Sequence, residues 1–266
     1  MTLTPEDKMP PIEPEIMPEE GEDSGKSMSI IDHLDELRTR LLRCAIVIIL
    51  LSIAGYIFSQ DIIEWLKHEF CPELKQIIYT RPLELFMIRL KAGLYLALLG
   101  GFPYIAFEIW HFVAPGLFPK ERRYVSVFAA ASSILFATGG AFALFFIYPA
   151  VIKLSVGMST PDIVPMITVE SFVNLAAMLI LGFGIMFQLP VFVFILAASG
   201  LVRTETMSKA RPYIIVIIFI ISAVLTPPDI LSQIAMALPS ITLFEISLLA
   251  AKLFLRKKKQ DTTIQE

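Results

Sequence analysis

Charged residues are scarce in this chain. Asp, Glu, Lys and Arg make up 18% of its 266 residues, against about a quarter in an ordinary soluble domain. Cysteine is nearly absent, and Cys44 and Cys71 alone build neither a disulfide framework nor a four-thiolate zinc site. His33, His68 and His111 are too few and too scattered for a histidine metal cluster. A basic excess is missing as well: the formal net charge is −3, which leaves no footprint for nucleic acid. There is no H-E-x-x-H helix and no G-x-S-x-G turn, so the constellations of an intramembrane enzyme are lacking. What fills the chain instead is apolar. Hydrophobic residues reach 56%, and mean hydropathy is +0.71. They cluster in long runs, the pattern of an all-α polytopic membrane protein.

A helix needs roughly 20 mostly apolar residues to cross a bilayer core of about 30 Å. Stretches free of Asp, Glu, Lys and Arg lie at 44–60, 92–107, 124–152, 171–202, 212–228 and 230–244, the last resuming after Glu245 as far as 251. These predict six transmembrane helices. The fifth and sixth are short and joined only by Thr226-Pro227-Pro228-Asp229, so they are expected to cross incompletely or to thin the bilayer. With six spans, fourteen of the 22 Lys and Arg fall on the side of both termini, among them Arg38, Lys120, Arg203 and Lys257. Six fall on the other, among them Lys75, Arg89 and Lys153. The asymmetry predicts cytoplasmic N and C termini.

Residues 1–27 hold eight acidic residues and five prolines and read as a disordered acidic leader. The six-helix domain is placed at 28–255, and 256–266 form a basic then polar cytoplasmic tail. The leader has neither a signal-peptide h-region nor the Arg/Ser-rich character of a transit peptide, which favours a bacterial inner-membrane protein. Prolines punctuate the spans: Pro103 in the second, Pro149 at the end of the third, Pro190 in the fourth, Pro239 in the sixth. They predict a kinked, concave bundle. Gln188, Gln233, Glu245 and Glu108 bring polar groups to membrane depth, where such groups are costly. Gln188 suits an interhelical hydrogen bond or service to the kink at Pro190. Glu245 suits an interfacial position or a functional one. Kinks and buried polar groups also fit a small-solute transporter, but no internal repeat is visible, and such transporters are usually built from repeats.

Residues 29–43 form an amphipathic pattern, with Ile30, Ile31, Leu34, Leu37, Leu41 and Leu42 at three- and four-residue spacing. This segment is expected to lie along the interface and lead into the first span. From spacing alone, Glu36 and Arg40 make an ordinary i,i+4 surface pair worth a few tenths of a kcal/mol. From spacing alone, Pro119 and Glu121 suit the first turn of the third span.

Longer motifs carry more. His33-Leu34-Asp35-Glu36-Leu37-Arg38 precedes the first span, and Phe112-Val113-Ala114-Pro115-Gly116-Leu117 leads to Glu121-Arg122-Arg123. Phe183-Gly184, Gln188-Leu189-Pro190-Val191, Arg211-Pro212-Tyr213, Leu225-Thr226-Pro227-Pro228-Asp229, Ser232-Gln233 and Phe244-Glu245 follow in order. This ordered set resembles the TatC family, the multispanning core of the twin-arginine protein translocase, over about residues 28–255. The resemblance implies a receptor for twin-arginine signal peptides of folded cargo, located in the bacterial inner membrane as a multi-pass protein. It implies partners: TatA-like and TatB-like single-span proteins, other copies of itself, and membrane lipid. It implies no enzyme activity, no cofactor and no nucleotide site, with transport driven by the proton-motive force. The family's signal-reading carboxylates fall on Glu36 and Glu121, with Arg38, Phe112, Arg122 and Arg123 shaping or flanking the site. Two carboxylates suit bidentate capture of guanidinium groups. Pro72, Gln188, Thr226, Asp229, Gln233 and Glu245 match positions of structural or partner-helix importance. Some family members carry glutamate where this chain has Gln188, and a neutral amide takes up no proton there.

Overall fold

The computed structural model describes residues 30–70, 72, 77–117, 124–158, 166–225 and 230–264. Apolar runs offer no water to backbone N–H and C=O groups, so the backbone satisfies itself as helix. The elements are α1 (Ile30–Phe70), α2 (Glu84–Leu117), α3 (Tyr124–Phe142), a π-turn (Ala143–Ile147), α4 (Tyr148–Gly157), α5 (Val169–Met186), α6 (Leu189–Ala198), α7 (Thr204–Lys209), α8 (Arg211–Leu225) and α9 (Ile230–Ile264). One strand-like contact occurs among the described residues. Ile78 N–H donates to Ile167 O at 3.2 Å and Val169 N–H to Ile78 O at 2.9 Å, tying the entry of α2 to the entry of α5.

Five stretches are long and apolar enough to cross a membrane: His33–Phe70, Glu84–Val113, Val125–Gly157, Val169–Ala198 and Gln233–Leu253. The chain is thus an all-α, multi-span membrane protein. The fifth expected span corresponds to α8, whose 15 residues reach only about 22 Å at 1.5 Å per residue.

The helices differ from the sequence expectation at their ends and at their prolines. The amphipathic segment and the first span are one unbroken helix of 41 residues. No proline interrupts it, and beyond the apolar run Leu66 and Phe70 are still buried. Pro149 does not end the third span. Tyr148 N–H reaches back five residues to Ala143 O, and this wide turn lets a residue without an N–H pass while the helix continues to Gly157. The sixth span is not short, because the apolar residues on both sides of Glu245 belong to one helix that passes through Pro239. At Pro190 the fourth span does break, into α5 and α6.

α5 lies at the centre. Phe172, Leu179 and Phe183 are fully buried there, Phe172 edge-on to Tyr148 of α4, while α9 packs against α6. A helix apolar all round can only be used in such a position or against lipid. Ile46, Leu50, Ile53 and Ile57 of α1 instead point outward.

α1 and α2 run antiparallel and meet at two glycines. A Cβ on Gly55 would lie 2.6 Å from Gly93 O, and one on Gly93 would lie 2.8 Å from both Ser52 O and Tyr56 N. The two backbones touch, as at other small-residue helix crossings in membranes. Gly93→Val should therefore lower stability by about 1–3 kcal/mol, read as an earlier thermal unfolding of the purified protein. Gly100→Ala is the matched control, because a Cβ there meets nothing within 4 Å; it should unfold with the wild type. Equal unfolding of the valine variant and the control would contradict a backbone-to-backbone crossing.

Candidate functional site

The antiparallel register brings the first turns of α1 against the last turns of α2. Glu36 and Arg40 are one turn apart on α1 and face α2. Arg40 Nε and Nη2 both donate to Glu36 Oε1, at 3.0 and 2.5 Å, and Arg40 Nη1 donates to Glu108 Oε2 at 2.7 Å. Tyr104, one turn before Glu108, donates its O–H to Glu108 Oε1 at 2.9 Å. The side chains of Glu36, Arg40 and Glu108 are only 22%, 14% and 7% exposed. Just beyond them the His33 ring stacks flat on Phe112, centroids 4.2 Å apart.

Charges so enclosed persist only if paired. One guanidinium here serves two carboxylates on two helices, using N–H donors that lie in one plane. Glu108 has a donor on each oxygen. Glu36 has two donors on Oε1, while its Oε2 is buried without a hydrogen-bond partner among the described residues. His33 Nδ1 stands 3.9 Å from it, beyond hydrogen-bond range. The site thus holds a buried carboxylate oxygen with an unmet need for a donor, next to a stacked aromatic pair.

Of the residues singled out from sequence, Glu36, Arg40, Glu108 and Phe112 come together here. Arg38 is exposed on the same helix. Glu121, Arg122 and Arg123 lie outside the described residues, as do Thr226 and Asp229. Pro72 is exposed in a turn after α1. Spacing marked Glu36–Arg40 but read it as an ordinary surface pair. The contact that changes this, Arg40 to Glu108, spans 68 residues in sequence and leaves no local signal. The local hints are the depth of Glu108 in its span and its i,i+4 spacing from Tyr104.

A second polar centre surrounds the break in the fourth span. Gln188 N–H turns to Ile185 O at 2.9 Å, so Gly184 O loses its usual helical donor. The Gln188 side chain supplies one: Nε2 donates to Gly184 O at 3.3 Å and to Ser132 O of α3 at 3.0 Å. Trp110 of α2 donates Nε1–H to Ser132 Oγ at 2.7 Å. Gln188, Ser132 and Trp110 border an apolar cleft of about 420 Å³ whose other walls include Phe102, Ile185 and Phe192. Elsewhere, Gln233 Nε2 donates to Phe219 O at 3.2 Å, joining α9 to α8. Glu245 pairs with Arg211 at 2.8 Å, joining the same two helices near the start of α8. No cluster of three or more His, Cys, Asp or Glu suited to a metal occurs among the described residues.

Comparison with known proteins gives this arrangement a context. A model of the Sec-independent protein translocase protein (TatC) family matches residues 32–239. The Sec-independent protein translocase protein TatC of Haemophilus influenzae is 34% identical over 243 residues, covering 90% of this chain and 94% of its own. That of Carboxydothermus hydrogenoformans is 33% identical over 235 residues, covering 88% and 96%. The crystal structure of the twin arginine translocase receptor TatC in DDM superposes with a TM-score of 0.74 at 30% identity, covering 82% of this chain and 99% of that one. The family match spans α1 to the middle of α9, with every described residue of both polar centres inside it, and the chain belongs to the TatC family of Sec-independent protein translocase proteins.

Proposed function

We propose that this chain is the twin-arginine signal-peptide receptor and core of a Tat translocase in the bacterial inner membrane, and that Glu36 and Glu121 read the arginine pair. The observation that carries the reading is Glu36 Oε2, buried and without a hydrogen-bond donor among the described residues. It is an acceptor lacking a donor, beside aromatic faces on which a guanidinium stacks. Glu121, in the segment that follows α2, provides the second carboxylate, with Arg38, Phe112, Arg122 and Arg123 around the pair. A charge-assisted hydrogen bond contributes roughly 1.5–3 kcal/mol, so loss of either carboxylate should weaken peptide capture about ten-fold or more. The measurement is crosslinking of a twin-arginine signal peptide to membranes carrying Glu36→Ala, Glu121→Ala or both. Wild-type crosslinking in all three would remove the proposal.

The receptor is read as six spans with both termini cytoplasmic. The five long helices and the shorter α8 supply six crossings, and the basic residues crowd the side carrying Arg38, Lys120, Arg203 and Lys257. A membrane-impermeant maleimide applied from outside should label Lys75→Cys and leave Lys120→Cys and Arg203→Cys unlabelled, in a background lacking Cys44 and Cys71. The reverse pattern contradicts the topology.

Single-span TatA-like and TatB-like proteins are the expected partners, meeting Thr226 and Asp229 in the link between α8 and α9 and Gln233 and Glu245 on α9, with Pro72 in the first outer loop as a structural position. Gln188, at the break between α5 and α6, acts through hydrogen bonding. Its amide serves Gly184 O and Ser132 O and so joins the broken span to α3. Gln188→Leu deletes both donations and should impair transport of a folded reporter at equal expression. Gln188→Glu, which as a neutral acid retains a donor, should be tolerated. Full transport by the leucine variant would reduce Gln188 to a bystander.

A further inference from the structure

The receptor reading leaves unexplained why the arginine-reading carboxylate has an arginine of its own. Arg40 sits one turn from Glu36 and is bonded to it. Left alone, such a pair is neutral, and an incoming guanidinium would have to compete with Arg40. The geometry points to Glu108 as the residue that prevents this. We infer that Glu108, by sharing Arg40, keeps the Glu36 site one negative charge in excess and so sets its appetite for a cationic side chain. The inference rests on Glu36 as the arginine reader.

The donor count supports it. Arg40 gives Nη1 to Glu108 Oε2 and gives Nε and Nη2 to a single oxygen of Glu36. A fork facing one carboxylate ordinarily takes both oxygens. Here the pull of Glu108 goes with a fork that converges on Oε1, and Oε2 is left over. Two carboxylates and one guanidinium carry a formal charge of about −1, in surroundings where the three side chains are 7–22% exposed. Both oxygens of Glu108 already have donors, from Arg40 and Tyr104. The uncompensated charge therefore rests on Glu36 Oε2.

The other charged groups described at this end make no hydrogen bond to either carboxylate. Arg38 and Arg43 are exposed and form no ion pair among the described residues; Arg43 acts on Glu108 only through a longer-range attraction that solvent screens. His33 stands 3.9 Å from Oε2 and is stacked on Phe112. An incoming guanidinium then completes an alternating row of four groups, Glu108, Arg40, Glu36 and the signal arginine, in which every carboxylate oxygen has a donor. Glu108 touches no peptide in this arrangement. It is a positioning residue that works through Arg40.

Charge sharing has an unusual genetic signature. Glu108→Gln releases Arg40 to neutralise Glu36, so peptide affinity should fall about ten-fold and its salt dependence should flatten. Removing Arg40 as well, in Arg40→Gln/Glu108→Gln, restores an unneutralised Glu36, so affinity should return to within about three-fold of wild type. A merely structural role predicts the opposite, with the double variant at least as impaired as the single. Glu108→Asp keeps the charge and should bind nearly as wild type.

The experiment titrates a fluorescent twin-arginine signal peptide against the full chain in lipid nanodiscs at two ionic strengths. Glu36→Gln is included, and thermal unfolding of each variant is recorded. Weak binding by Glu108→Gln with recovery in the double variant supports the inference. Wild-type affinity in Glu108→Gln, or no recovery in a double variant that unfolds with the wild type, overturns it. If Glu108→Gln itself does not fold, the comparison passes to Glu108→Asp and the double variant: ten-fold weaker binding by either, with wild-type unfolding, overturns it, and near wild-type binding by both supports it. Wild-type binding by Glu36→Gln would instead overturn the receptor reading on which the inference stands.

Discussion

The crossing of α1 over α2 at Gly55 and Gly93 fixes the geometry of everything at the Glu36 end. α1 packs mainly along α2, so its register is set there, and the two backbones are in contact. Arg40 lies fifteen residues before Gly55, and Glu108 lies fifteen after Gly93. At 1.5 Å per residue each is about 22 Å from the crossing, and in antiparallel helices they arrive opposite each other. The same count works in the other direction. Ser59 and Arg89 are each four residues from their glycine, and Arg89 Nε donates to Ser59 Oγ at 3.3 Å. A side chain at the crossing would push the helices apart and lengthen the 2.7 Å contact between Arg40 and Glu108. Two residues without side chains thus position a site made entirely of long ones.

The Gln188 centre solves a different problem by related means. A break in a membrane helix leaves carbonyls that water cannot reach. Here one such group, Gly184 O, is bonded by the side chain four residues on. The same amide also reaches Ser132 O, and Ser132 Oγ in turn accepts from Trp110. A local repair of the backbone has become a tie among three spans, α2, α3 and the broken α5–α6. The apolar cleft beside it lies along the broken span, with Ile185 before the break and Phe192 after it in its wall.

Much of this fold was legible in the sequence, because the existence of a membrane helix follows from apolar run length, which is a local property. The ends were less so. Helix continues through Asp61, Glu64 and Lys67 of α1, since charged residues at the flank of a span form helix as readily as apolar ones and leave only the apolar count short. Pro149 looked like a terminator because a proline removes a donor; the π-turn before it depends on the packing of Ala143 and Tyr148, both fully buried. The candidate site divides in the same way. Glu36 stood out through a motif and Arg40 through spacing, whereas Glu108 acquires its meaning only from a helix pairing. A carboxylate near the end of a span reads the same whether it faces a headgroup or an arginine on a neighbouring helix.

That pairing also bears on the kind of cation the site accepts. Arg40 meets Glu36 and Glu108 at once through three N–H groups held in one plane. An ammonium is a point charge on a flexible stem, more strongly hydrated and without that fork. It can neutralise one carboxylate, but it does not hold two carboxylates on different helices in a fixed plane. The row therefore already contains a guanidinium in the geometry that a second one would extend. Glu36 is oriented by Arg40, and its vacant oxygen lies beside the flat faces of His33 and Phe112. A second guanidinium can stack and donate there together, whereas a lysine would gain only the charge. Selectivity for arginine then arises from the shape of a network that the protein has half built from its own side chains.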